Sequence, residues 1–143
     1  MRIRDVVAAK SDHKVVTIAP DATVRDLVAL LAEHNVGALV VSADGTRVDG
    51  IVSERDVVRR LHLDAEVLSA PVEQIMTGDV HTCESTQSLD DLMNAMTQRR
   101  IRHVPVVDDG VMVGIVSIGD VVKHKIDALQ FERDQLDSYV HQT

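Results

Sequence analysis

The chain has 143 residues, 15 Lys+Arg against 23 Asp+Glu, a formal net charge of −8 and 45% hydrophobic residues. A chain of this length supports one domain, or two very small ones that share a core. Its apolar fraction excludes disorder, and its acidic balance argues against a general nucleic-acid binder, which needs surplus Lys and Arg to neutralise phosphate.

In chain order, a short β segment over residues 15–18 leads to a helix whose Val24, Leu27, Val28 and Leu31 have helical spacing. Thr23 stands as its N-cap, with Asp26 three residues on. An apolar strand over residues 38–42, the turn dipeptide Asp44-Gly45, a return strand over 48–53 and a helix from near Glu54 follow. Residues 61–78 form a connection containing Pro71 and a short helical stretch over 72–76. The same plan then recurs. A β segment over 80–83 precedes a helix carrying Leu89, Leu92, Met93 and Met96, capped by Ser88 with Asp91. Strands over 103–107 and 112–117 flank Asp109-Gly110, and a helix starts near Ile118. Residues 120–140 read as one long helix with Val122, Ile126, Leu129, Leu136 and Val140 along a seam that Arg133 interrupts. That helix either lies on its own module or meets its copy in a second chain, supplementing a larger interface.

The recurrence extends to the residues themselves. Gly50-Ile51-Val52-Ser53-Glu54-Arg55-Asp56-Val57-Val58 returns as Gly114-Ile115-Val116-Ser117-Ile118-Gly119-Asp120-Val121-Val122, and Thr17, Asp26 and Leu27 match Thr82, Asp91 and Leu92. The order β-α-β-β-α, twice, is an α+β fold. A unit of about 60 residues with an aliphatic core is marginal alone, so two copies packed face to face would share their burial and leave two related clefts across a pseudo-twofold axis. The boundaries expected are 1–64 and 65–126 for the repeats, with the connection at 62–78, and 127–143 for a helical extension. Both aromatics, Phe131 and Tyr139, fall in that extension, while valine occurs 25 times. A planar ligand in the body must therefore rest on aliphatic side chains, which disfavours the stacking platforms used for single-stranded nucleic acid.

The repeated Ser-x-x-Asp is the strongest candidate site. The pattern also describes any helix N-terminus, and Thr23/Asp26 and Ser88/Asp91 share it. Ser53/Asp56 and Ser117/Asp120 differ in following a Gly-Ile-Val strand directly. There a carboxylate one turn into the helix can accept hydrogen bonds from a vicinal diol, while the serine and the helix start favour an anion. A diol with a phosphate is a ribonucleotide.

On these residues the chain resembles a tandem pair of CBS (cystathionine β-synthase) domains, a Bateman module, over about residues 3–126. The resemblance rests on the doubled Gly-Ile-Val-Ser-x-x-Asp and on Arg102-His103-Val104-Pro105-Val106-Val107-Asp108. It implies a stand-alone, cytoplasmic regulatory module that binds AMP, ADP, ATP, NAD or S-adenosylmethionine without turnover, pairs into a homodimer and signals to a target protein. It further implies that Ser53, Asp56, Ser117 and Asp120 meet ribose and phosphate. Adenine would be lined by Thr17, Ala22, Val36 and Gly37 in one cleft and by Thr82, Gln87 and Ile101 in the other. Arg100, Arg102 and His103 would face phosphates, Arg102 and His103 from near the pseudo-axis. The first repeat has Asn35, Gly37 and Ala38 at those positions, so the clefts need not be equivalent. The three basic residues also suit a helix C-terminus without any ligand.

Other chemistry finds no support. GxxxxGK[ST], GxGxxG, GxSxG and HExxH are all missing, and the seven histidines are scattered. No metal site, catalytic base or catalytic cofactor is expected. The single Cys83 aligns with Ile18, which reads as a small buried hydrophobe; it excludes an intrachain disulfide and fits a reducing compartment. No run approaches 18 apolar residues, and residues 1–5 are not followed by an apolar stretch long enough for a signal-peptide core, which argues against a membrane span or signal peptide. The alternative to a nucleotide sensor is a ligand-free structural or interaction module that dimerises, with both aspartates acting only as caps.

Overall fold

Helices begin where the cap residues place them. In the computed structural model, which describes residues 1–10 and 15–141, the Thr23 hydroxyl accepts from the Asp26 N–H (3.1 Å) and starts α2, Val24–His34. Ser88 does the same for Asp91 (3.1 Å) and starts α4, Leu89–Arg99. Both helices end on a residue in the left-handed region, Asn35 (φ 51°) and Arg100 (φ 54°), so the chain turns into the next strand identically in each repeat. The remaining elements are α1 (Ile3–Ala9), β1 (Thr17–Ile18), β2 (Ala38–Val41), β3 (Gly50–Ser53), α3 (Glu54–Leu63), β4 (His103–Asp108), β5 (Val111–Ser117) and α5 (Ile118–His141). Single 3₁₀ turns occupy Ala65–Ser69 and Val72–Gln74.

In the first repeat β1 runs parallel to β2, and β2 pairs antiparallel with β3, Ala38 opposite Ser53. In the second, β4 and β5 pair antiparallel with His103 opposite Ser117. The segment over 80–83 forms only a parallel bridge, Cys83 to Val106. The Asp109-Gly110 turn has both residues at positive φ (52° and 78°), as a two-residue hairpin requires. The first hairpin is wider. The Asp44 carboxylate accepts from the N–H groups of Thr46 (2.8 Å) and Arg47 (2.9 Å), which holds its acidity well beyond the usual carboxylate range and delays β3 to Gly50.

The two cores do not follow chain order. The first contains Val24, Leu27, Leu39, Val41 and Val52 together with Val67, Val72 and Ile75 from the connection. The second contains Leu89, Leu92, Val104, Val106 and Val116 together with Ile3 and Val6 from α1. The docking is the same in both: Val24 N–H donates to the Ala70 carbonyl (2.9 Å) and Val72 N–H to that of Ala22 (2.8 Å). Correspondingly, Leu89 N–H donates to the Met1 carbonyl (3.1 Å) and Ile3 N–H to that of Gln87 (3.0 Å). The strand entries also match across the pseudo-twofold, with Glu54 N–H on the Gly37 carbonyl (2.9 Å) and Ile118 N–H on the Arg102 carbonyl (2.8 Å).

The long C-terminal helix forms as expected, and at 24 residues it extends about 36 Å. Val121 is buried and Lys125 pairs with Asp90 of α4, but beyond Ala128 every described residue of α5 is exposed. The helix therefore does not lie along its own module. Residues 142–143 of the expected extension lie outside the described residues. None of the described helices is long and apolar enough to cross a membrane.

Candidate functional site

The antiparallel register of β2 and β3 brings Ser53 to the end of its strand as the N-cap of α3. Its backbone N–H and hydroxyl both donate to Asp56 Oδ2 (2.9 and 3.1 Å), and the Asp56 N–H donates back to Ser53 Oγ (3.3 Å). Asp56 thus does the work of a cap. It does so with one oxygen: among the described residues no donor reaches Oδ1, and the residue lines a cleft of about 270 Å³.

The cleft lies between the repeats. From the first repeat come Gly37, Ala38 and Ile51, with Thr77 bonded to Ile51 in both directions (3.0 and 2.9 Å). The second repeat supplies Arg100, Ile101, Arg102 and His103, because the left-handed turn at Arg100 carries the chain across the pseudo-axis. Burial lowers the proton affinity of His103, Lys10 and Arg102 lower it further, and Asp120 and Glu54 oppose them incompletely. The cleft thus holds a neutral imidazole near pH 7 beside the guanidinium groups of Arg55, Arg100 and Arg102.

The matched position in the second repeat is different. Ser117 N–H donates to Asp120 Oδ2 (2.9 Å) and Asp120 N–H to Ser117 Oγ (3.1 Å), repeating the cap. Here Lys10 Nζ also reaches Asp120 Oδ2 (3.0 Å) and the Ile115 carbonyl (2.8 Å). Burial pushes the Asp120 carboxyl up, but the Ser117 N–H and the Lys10 ammonium outweigh it and hold the group below the usual carboxylate range. Lys10 separates two hollows, one of about 260 Å³ with Val36, Ala38 and Ile115, the other of about 340 Å³ with Asp120 and His124.

Of the residues singled out in the sequence, Ser53, Asp56, Gly37, Arg100, Ile101, Arg102 and His103 meet in one cleft. Gly37 and Ile101, assigned to different clefts, share it because the strand entries of the two repeats face each other. Val36 lines the Lys10 hollow instead. Thr17, Ala22, Thr82 and Gln87 line none of these hollows. Thr17 pairs with Val40 in the sheet, Thr82 is exposed, and the carbonyls of Ala22 and Gln87 clasp Val72 and Ile3. The sequence reading missed Lys10, Arg55 and Thr77. Only Thr77 left a trace, as the residue just after the short helical stretch. Among the described residues, no three His, Cys, Asp or Glu side chains gather as a metal site.

The model of the CBS domain matches residues 3–63 and 72–127, so each match opens on the docking segment of one repeat. The chain belongs to the CBS-domain family. It is a CBS pair, a regulatory type of module. A mitochondrial CBS domain-containing protein of Arabidopsis thaliana, CBSX3, is 37% identical over 146 residues, covering 96% of this chain and 71% of that protein. The crystal structure of a CBS-domain protein from Agrobacterium tumefaciens is 40% identical, with a TM-score of 0.81 over 87% of this chain and 92% of that one. The fold is also that of the CBS pair of protein MJ0100 in complex with 5′-methylthioadenosine and S-adenosyl-L-methionine. That likeness has 24% identity and a TM-score of 0.76, over 86% of this chain and 98% of the other.

Proposed function

We infer that this CBS pair binds an adenosine ligand, of the class AMP, ADP, ATP or NAD, in the Asp56 cleft and reports its presence by a change of shape, without turnover. The observation that carries this is the division of labour on Asp56: Oδ2 closes the helix cap, while among the described residues no donor reaches Oδ1 and the residue lines a cleft. A ribose diol supplies the donors that Oδ1 lacks. Arg55, Arg100 and Arg102 suit phosphate, and Ala38, Ile51 and Ile101 offer the aliphatic surface that an adenine needs where no aromatic is available. The adenosine compounds named with the MJ0100 pair support the same ligand class.

Occupancy becomes a signal to the extent that the ligand prefers one arrangement of the repeats over another. Calorimetry with AMP, ATP, NAD and S-adenosylmethionine tests the reading. At least one is expected to bind, and Asp56→Ala to weaken it about 10- to 150-fold, the loss of about 1.5–3 kcal/mol from a hydrogen bond to a charged group. No heat from any of the four would refute it.

A second reading, a dimerisation module without ligand, is favoured by the capping bonds on both aspartates and by exposed Ile126, Leu129 and Leu136 on α5. Homodimerisation is compatible with the first reading and is part of it, with the partner chain covering the apolar seam of α5. A target protein that reads the shape and a cytoplasmic setting complete the proposal. Thermal unfolding separates the two readings, since ligand at 100 times its dissociation constant adds about 2.7 kcal/mol and a ligand-free module gains nothing.

A further inference from the structure

We propose that Lys10 keeps the Asp120 cleft closed to a nucleoside, so that each chain takes up one ligand, at Asp56, rather than two. The inference rests on the reading that the Asp56 cleft takes an adenosine ligand. It follows from what differs between two otherwise matched positions.

A ribose at Asp120 would have to donate to its carboxylate. The Lys10 ammonium stands beside that carboxylate, donating to Oδ2 (3.0 Å) and to the Ile115 carbonyl (2.8 Å). Among the described residues Oδ1 carries no donor, as at Asp56, and the obstacle is the lysine chain itself, which divides the hollow at Asp120 from the one at Ile115. The pair is largely withdrawn from solvent, with side-chain exposures of 31% and 27%. Among the described residues no lysine lines the Asp56 cleft, and the carbonyl of Ile51, which matches Ile115, is taken by the backbone N–H of Thr77 (2.9 Å). The cause is local. The docking segment of the first repeat leaves its 3₁₀ turn and extends to pair Thr77 with Ile51. That of the second stays helical to Ala9, exits into extended backbone at Lys10, and satisfies the same sheet edge with a side chain.

The opposite walls reinforce the difference. Across from Asp56 stand Arg100 and Arg102, whereas the matching places opposite Asp120 are Asn35 and Gly37. Of the two lysines that line the hollow at Asp120, Lys10 is already spent on that carboxylate, and Lys123 belongs to α5 rather than to the facing wall. A neutral diol entering there would displace an ion pair and strand a lysine. A phosphate would find no second cation on the facing strand entry.

The test is the number of AMP molecules bound per full-length chain, by calorimetry and native mass spectrometry. At AMP a few times the wild-type dissociation constant, the wild type is expected to bind one, Lys10→Met two, Asp56→Ala almost none because its site is weakened about 10- to 150-fold, and the double variant one. Lys10→Gln, also uncharged but still a donor, serves as a second variant, and unfolding midpoints establish that each protein is folded. A wild type that binds two would overturn the closure and leave the Asp56 site standing. So would Lys10→Met and Lys10→Gln both remaining at one. AMP bound by Lys10→Met but not by the wild type would uphold the closure and remove the Asp56 site. If neither binds AMP, the same count is made with ATP, NAD and S-adenosylmethionine, and both readings fall if neither protein binds any of them.

Discussion

Ile3→Ala probes the least expected feature of the fold, the sealing of the second core by a helix that precedes the first repeat. Ile3 is fully buried, at 0% exposure, in the same cluster as Leu89, Leu92 and Val116. Truncating a buried isoleucine removes its transfer energy and leaves a cavity, for a cost of about 2–5 kcal/mol. Each kcal/mol lowers the melting temperature of a domain near this size by about 3 °C, so a fall of roughly 6–15 °C is expected. Urea unfolding followed by circular dichroism should show a lower midpoint with an unchanged slope. Arg4→Ala, exposed on the same helix, should stay within about 0.5 kcal/mol of the wild type. If Ile3→Ala were equally silent, α1 would not belong to the second core and the exchange of docking segments would be refuted.

Two further outcomes follow from individual contacts. A Cβ on Gly50 would stand 2.5 Å from Met76 Sδ and 3.0 Å from the Thr77 carbonyl, whereas one on Gly78 would meet nothing within 4 Å. Gly50→Ala should therefore cost about 1–3 kcal/mol in chemical denaturation and Gly78→Ala almost none; equal effects would contradict the packing. His103, whose proton affinity burial lowers, should titrate by NMR below the ordinary value of about 6.5. The unfolded chain then binds the proton first, so stability contributed by neutral His103 is present above about pH 6.5 and declines as pH falls through that value toward the folded pKa. His103→Gln should remove that part of the pH dependence, and an unchanged profile would count against the buried imidazole.

Much of this architecture is written locally. Thr23 and Ser88 announce their helices because a hydroxyl three residues before an N–H is within reach of it, and Asp109-Gly110 announces its hairpin because the turn demands positive φ. The repeat made the doubled fold legible. What was not legible depends on contacts distant in sequence. The seven residues of α1 are too short to read as a helix alone and become one by docking beside Gln87 and Leu89. Cys83 was legible as a hydrophobe by its alignment with Ile18, and its burial, with Asp108 nearby, pushes the thiol up to about 12, leaving it inert. In the candidate site, matching the repeats singled out Ser53 and Asp56, and the family resemblance pointed to Arg100, Arg102 and His103, which line the same cleft. The partition of adenine-lining residues failed to anticipate that Gly37 and Ile101 converge, since strand entries from opposite repeats meet only once the pair is assembled. Lys10 gave no signal, because nothing near it in sequence anticipates Asp120.

A crystal of the full chain grown with AMP measures most directly whether a capping aspartate can also hold a sugar. Ribose hydroxyls within hydrogen-bond distance of Asp56 Oδ1, with phosphate toward Arg100 and Arg102, are the predicted result. AMP bound elsewhere, or a cleft left unfilled at saturating AMP, would contradict it.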